Sequence, residues 1–287
     1  MRIIELITIA SEHLGEKGFE NSRIEVERML GSVLGKSRLD LYMSFDRPLT
    51  EDERERFRIM FRRRLAHEPL QHVIGSTGFR ELEIKTDRRA LIPRSETELL
   101  VEIAVDFLKR CDNPRAADLG TGSGVIALSV AYEVEGSHVV AVDISDEALA
   151  VAEQNARLLG VEDRLVLVRG DMLDGLEGRG LFDAVLSNPP YVRSGDIDSL
   201  QPEVSKYEPR IALDGGPDGF TFLRLIARGA HHHLKPGGLL LMECGEGQTE
   251  EIQAEITTTG RYSESEIVSD LAGEKRIVRA LSNPDYS

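Results

Sequence analysis

Asp118-Leu119-Gly120-Thr121-Gly122-Ser123-Gly124 joins an expected strand, residues 116–119, to a helix-forming run, residues 125–132. A strand, a glycine loop and a helix in that order make the first turn of an open parallel sheet, where glycines let a ligand come close to the backbone. A G-x-G loop alone also serves dinucleotide enzymes. Here the spacing is G-x-G-x-G and Asp118 precedes it. A carboxylate at that point repels a pyrophosphate and suits a cationic ligand.

Two further acids extend the pattern. Asp143 follows the next strand, residues 138–142, and stands 19 positions after Gly124. A carboxylate there can accept both hydroxyls of a ribose, with turn or cap chemistry ahead of the helix at 146–159 as the lesser alternative. Asp171, with Met172, follows the third strand, residues 165–169, and can accept from an adenine amino group while Met172 packs on the ring. Three acids at successive strand ends, with no basic residue in the loop, favour an adenine nucleoside whose other charge is positive. S-adenosylmethionine fits. Gly120, Thr121, Gly122, Ser123 and Gly124 would share that site with Asp118, Asp143, Asp171 and Met172; no metal is expected.

The fourth strand, residues 182–187, runs into Ser187-Asn188-Pro189-Pro190-Tyr191. Two prolines fix φ, remove two donors and hold the residues before them extended. The Asn188 oxygen, the Pro189 carbonyl and the Tyr191 ring then form a receptor for a planar amino group, beside the methyl end of the cofactor. A Pro-rich turn is the structural alternative.

Alternating strands and helices from Arg115 onward give an α/β doubly wound, Rossmann-like domain, with later strands at 238–243, 265–268 and 274–281 and a helix at 220–233. Residues 1–74 read as three helices in a small bundle, the third opened by a capping box at Thr50 and Glu53. Residues 75–93 read as a hairpin linker and 94–287 as the catalytic domain, with Ser95 capping its first helix. Arg62-Arg63-Arg64 reads as a solvated face, and His231-His232-His233 as solvent-facing histidines rather than a metal site. The long connection 192–219 is expected to close over the substrate, with Glu208 and Arg210 paired inside it.

Residues 1–90 carry 17 Lys and Arg against 16 Asp and Glu, whereas residues 91–287 carry 18 against 34. So acidic a larger half offers little for neutralising phosphates, and direct nucleic-acid binding is not expected. No apolar run approaches a bilayer-spanning length, Glu5 interrupts any signal-peptide core, and the only cysteines are Cys111 and Cys244. A cytoplasmic protein with no membrane contact, acting as a monomer, is expected.

Taken together, Leu91-Ile92-Pro93-Arg94-Ser95-Glu96-Thr97-Glu98, the glycine loop, Ser187 to Val192, Tyr207-Glu208-Pro209-Arg210, Ala212 to Gly216 and Asp270-Leu271-Ala272-Gly273 carry a family resemblance. The chain resembles the protein-(glutamine-N5) methyltransferases that modify peptide chain release factors. Ser95 stands where that family has Pro, and Met172 where some members have an aromatic. The resemblance implies a helical domain that grips the release factor, a β-hairpin linker and a seven-stranded class I S-adenosylmethionine methyltransferase domain whose last strand is antiparallel. It also implies catalysis by Asn188, Pro189 and Tyr191, with Pro190 and Arg94 at the substrate, on the glutamine of a Gly-Gly-Gln loop. S-adenosylhomocysteine would be the product. The rival readings are an adenine-N6 methyltransferase of nucleic acid, which shares the Asn-Pro-Pro-Tyr motif, and a binding module without turnover. Asn283-Pro284-Asp285-Tyr286 echoes the motif without its strand and is assigned no role.

Overall fold

The structure, a computed structural model, describes residues 1–270 and 272–284. Leu271 of the late motif, and Asp285 and Tyr286 of the C-terminal echo, lie outside the described residues. The chain divides into two compact units: Met1–Ser76 with Gln201–Tyr207, and Thr77–Leu200 with Glu208–Ser287.

The first unit is helical: α1 Ile3–Glu16, α2 Ser22–Leu34, α3 Arg38–Met43, α4 Glu51–Leu65 and α5 Leu70–Ile74. Ile3, Leu6, Leu14, Val26, Met29 and Leu30 close its core. Three helices match the expected ones; α3 and α5, of 6 and 5 residues, are too short to show a 3.6-residue period. The capping box forms, with Thr50 Oγ1 accepting from Glu53 N and Glu53 Oε2 accepting from Thr50 N. The arginine run departs from expectation, because only Arg62 is exposed. Arg63 forks onto Glu68, while buried Arg64 reaches Glu25 and, at 2.7 Å, Glu203. A buried guanidinium needs such partners, which holds residues 201–207 in this unit.

The hairpin, β1 Ser76–Phe79 and β2 Leu82–Lys85, belongs from Thr77 onward to the second unit. Phe79, Leu82 and Ile84 bury themselves in the core of the sheet's first face, so the hairpin is part of this unit rather than a free linker. The following helix, α6 Thr97–Leu108, starts later than expected. Ser95 does not cap it; Glu96 is the N-cap residue, and the Ser95 hydroxyl donates to the Glu96 carboxylate instead.

Then come β3 Arg115–Leu119, α7 Val125–Glu133, β4 His138–Asp143, α8 Asp146–Leu159, β5 Leu165–Arg169 and β6 Phe182–Ser187. Beyond α9 Pro202–Tyr207 lie α10 Thr221–Gly229, β7 Leu234–Glu243, α11 Thr249–Thr259, β8 Tyr262–Ser269 and β9 Lys275–Ser282. The seven strands order as β5-β4-β3-β6-β7-β9-β8, all parallel except β9, which runs antiparallel to β7 and β8. Alternate residues serve opposite faces: Ala116, Ala184 and Leu239 pack under α6 and α7, whereas Ala117, Val185 and Leu240 pack under α10 and α11. The α10 helix stops at Gly229, and residues Ala230–His233 form a 3-10 turn. There His232 is exposed but His231 and His233 are half-buried, and burial pushes the His231 imidazole down to about 4. These histidines are therefore not the fully solvated set that the sequence suggests. Among the described residues, no helix is long and apolar enough to cross a membrane.

Candidate active site

The strand order reverses at β3, whose neighbours are β4 and β6, and ligands bind outside the carboxyl ends of strands at such a switch point. A cavity of about 120 Å³ lies there. Gly120, Gly122, Asp143, Asp171, Met172, Asn188 and Pro190 line it, which brings seven of the expected residues together. Leu91, Ile144, Ile211 and Phe222 add apolar wall that the sequence reading missed.

The loop is held from below. Asp118 is completely buried and does not line the cavity; its Oδ2 accepts from the Thr121 hydroxyl at 2.6 Å and from Ala127 N at 3.2 Å. Its Oδ1 is buried with no hydrogen-bond partner, and burial raises the carboxyl to about 7. Thr121, Ser123 and Gly124 likewise stay off the cavity wall: Thr121 engages Asp118, Ser123 lends its carbonyl to Asn155, and Gly124 starts α7 at φ 87°. A Cβ on Gly124 would stand 2.9 Å from Leu128 Cδ1 and 3.0 Å from Ala152 Cβ, so the close approach demands glycine. These four residues shape the loop; Gly120 and Gly122 present it.

Asp143 sits at the wall with Oδ2 accepting from Gly122 N at 2.8 Å and Oδ1 from Ser145 N at 2.9 Å. Each carboxylate oxygen has a second lone-pair site, so the bonds that fix the loop leave acceptor capacity for a ligand. Burial raises this carboxyl too. Asp171 is exposed at the cavity mouth, and Met172 adopts φ 44° beside Gly120, an unusual conformation for a side-chain-bearing residue.

Asn188 emerges from β6 with its Nδ2 donating to Thr97 Oγ1 at 3.0 Å. The Thr97 hydroxyl donates onward to Glu243 Oε2 at 2.7 Å, and the Tyr191 hydroxyl faces Glu243 Oε1 at 3.4 Å. Among the described residues, nothing donates to Asn188 Oδ1 or to the Pro189 carbonyl. Burial raises the Tyr191 phenol and holds Glu243 above the usual carboxylate range. Behind Tyr191, Gln248 Nε2 donates to its carbonyl and to that of Gly219, both at 3.1 Å. Gly215 packs so closely that a Cβ there would lie 2.7 Å from Tyr191 Cα. Thr97, Glu243 and Gln248 around Asn188 and Tyr191, with Arg89 and Ser145 on the cavity wall, are polar residues that sequence reasoning missed. Glu243 had a signal, since it is a fourth acid ending a buried parallel strand; Thr97, 91 positions from Asn188, had none.

Arg94 does not line the cavity. Its Nη2 contacts both oxygens of the buried Glu208, at 2.8 and 2.7 Å. The expected Glu208–Arg210 pair is absent: Arg210 turns to Asp198 at 3.0 Å and to the Ser194 carbonyl.

Residues 5–75 match the family described as PrmC N-terminal domain, and residues 96–202 match the methyltransferase small domain. A release factor glutamine methyltransferase of Geobacter sulfurreducens is 41% identical over 267 residues, covering 93% of this chain and 92% of the relative. One of Moorella thermoacetica is 38% identical, covering 96% of this chain and 97% of the relative. Among solved structures, a methyltransferase of Pyrococcus furiosus aligns with TM-score 0.51 and 18% identity, covering 82% of this chain and all of that one, which speaks for the fold alone.

Proposed function

The chain belongs to the release factor glutamine methyltransferase family, and from that premise we propose that it methylates the side-chain amide nitrogen, N5, of the glutamine in the Gly-Gly-Gln motif of class I peptide chain release factors. S-adenosylmethionine is the donor we assign and S-adenosylhomocysteine the product. The cavity residues fit that donor. Asp143 keeps free lone pairs for a ribose, Gly120 and Gly122 leave bare backbone in the wall, and the unpartnered Oδ1 of Asp118 favours a positive charge above the loop.

When bound, this cofactor supplies an electrophilic methyl group on a sulfonium. The protein's own part is placement. An amide nitrogen is a weak nucleophile, and among the described residues no strong base adjoins Asn188. Asn188 Oδ1 and the Pro189 carbonyl accept the two N–H bonds of the substrate amide, and Tyr191 packs against its plane. Positioning of this kind supplies up to about 7–11 kcal/mol. The same acceptors stabilise positive charge as it grows on the nitrogen, as oxyanion-hole donors stabilise negative charge.

The observation that carries this reading is the Asn188 amide, whose N–H side is engaged by Thr97 and whose oxygen is left for a ligand. A glutamate would set further acceptors against two acceptors and be refused. The acidic balance of residues 91–287, 18 basic against 34 acidic, favours a protein substrate over nucleic acid. The helical unit is assigned to gripping the release factor, where Leu39, Tyr42, Met43 and Phe45 offer exposed apolar surface. Work on translation factors belongs to the cytoplasm. Asn188→Ala tests the assignment: methyl transfer to a release factor should collapse while cofactor affinity and the melting profile persist, and unchanged turnover would remove Asn188 from the reaction.

A further inference from the structure

The two ends of the Asn188 amide are nearly the same shape, so packing alone does not decide which of them faces the cavity. We infer that Thr97 and Glu243 decide it, and that through Asn188 this pair sets the preference for an amide over a carboxylate. The inference rests on the function proposed above and adds two positioning residues to it.

Glu243 ends β7, is 2% exposed, and has hydroxyl groups facing both oxygens, Thr97 at 2.7 Å and Tyr191 at 3.4 Å. An ionised carboxylate only accepts. The single Thr97 proton is therefore committed to Glu243, and Thr97 Oγ1 is left able only to accept. The one group that Asn188 can offer it is Nδ2, which is what the 3.0 Å contact shows. With Nδ2 turned inward, Oδ1 is the end left for the substrate. Reversing the amide would press two acceptors together with no proton between them.

A glutamine at 243 changes the logic without changing the shape. Its oxygen can keep the Tyr191 hydroxyl satisfied while its Nε2 donates to Thr97; Thr97 then donates to Asn188 Oδ1. Every inner group is satisfied, but Asn188 now offers N–H bonds to the cavity. That face repels an amide nitrogen and welcomes a carboxylate.

The test is steady-state methylation of a release factor by Glu243→Gln, Thr97→Val, Thr97→Ser and the Glu243→Gln/Thr97→Val double variant, with cofactor affinity measured by calorimetry as the control for folding. Thr97→Ser keeps the hydroxyl and should match the parent. Glu243→Gln should lower kcat at least as far as Asn188→Ala does, by about 10²–10³, because a donor then stands where the acceptor stood. KM for the release factor should change little. Thr97→Val frees the amide without reversing it and should cost only a few-fold. In that background Glu243→Gln should add nothing, because the relay is already cut. A release factor carrying Gly-Gly-Glu should also inhibit Glu243→Gln more strongly than the parent. Equal loss from Glu243→Gln in both backgrounds, or parental kcat in the single variant, would overturn the inference while the activity of the parent and the inactivity of Asn188→Ala left the proposed function standing. A parent enzyme that does not methylate the glutamine would instead defeat that function.

Discussion

Replacing Asp118 with asparagine should make the folded state of the methyltransferase unit less sensitive to pH. The carboxyl is completely buried, and that burial raises it from an ordinary 3.8 to about 7, against the lowering effect of hydrogen bonds from Thr121 and Ala127 and with a smaller push from Asp143. Between those two values the folded chain holds a proton that the unfolded chain has released. Its contribution to stability is thus full below pH 4 and is lost as the pH rises to 7. At about 1.4 kcal/mol per pH unit, the loss amounts to roughly 4 kcal/mol by pH 8. Asparagine has the same shape, keeps an oxygen for Thr121 and does not ionise. Denaturant unfolding followed by circular dichroism from pH 4 to pH 8 gives the assay, read as the difference between variant and parent. The difference matters because surface carboxylates with lowered values, such as Glu250 and Asp218, slope the other way in both proteins. The variant should gain on the parent by up to about 4 kcal/mol across the range; parallel curves would refute the argument. The same charge that burdens the empty fold favours a cationic cofactor, so the variant should also bind S-adenosylmethionine more weakly at pH 8.

Three further outcomes follow from the site. Asn188→Ala removes one of two acceptors and should lower kcat by about 10²–10³, by analogy with the loss of one oxyanion-hole donor, with the fold unchanged by circular dichroism. Gly215→Ala would set a methyl 2.7 Å from Tyr191 Cα and 2.8 Å from its carbonyl carbon, so backbone must move; a destabilisation of about 1–3 kcal/mol and weakened turnover are expected in thermal melts and methylation assays. Burial, reinforced by Glu96 and opposed by Thr97, Tyr191 and Arg276, raises the Glu243 carboxyl. Its protonation turns an acceptor into a donor toward Thr97, so kcat at saturating cofactor should fall as the pH drops through that raised value, an acid limb that Glu243→Gln should lack.

Much of the catalytic domain was legible because its strands are short apolar runs ending in acids. Asp143 and Asp171 reach the cavity as their positions at strand ends suggest. Asp118 obeys the same pattern and yet points beneath the loop, because a residue at a strand end can serve either the cavity or the turn that follows, and only the backbone path of Gly120 to Gly124 decides which. Short α3 and α5 carried too few residues for a period, and the Ser37–Asp40 capping box was the one local trace of α3. The Arg94–Glu208 pair joins residues 114 positions apart and replaces the local Glu208–Arg210 pair that proximity in sequence suggested. Thr97 was invisible for a like reason: its role exists only where α6 meets the ends of β6 and β7.

The most direct test is mass analysis of the Gly-Gly-Gln peptide from a class I release factor after incubation with the protein and S-adenosylmethionine. One added methyl on the glutamine side chain, absent with Asn188→Ala and absent when the glutamine is replaced by glutamate, is the predicted result. An unmodified glutamine, or a methyl on the glutamate in its place, would contradict the account.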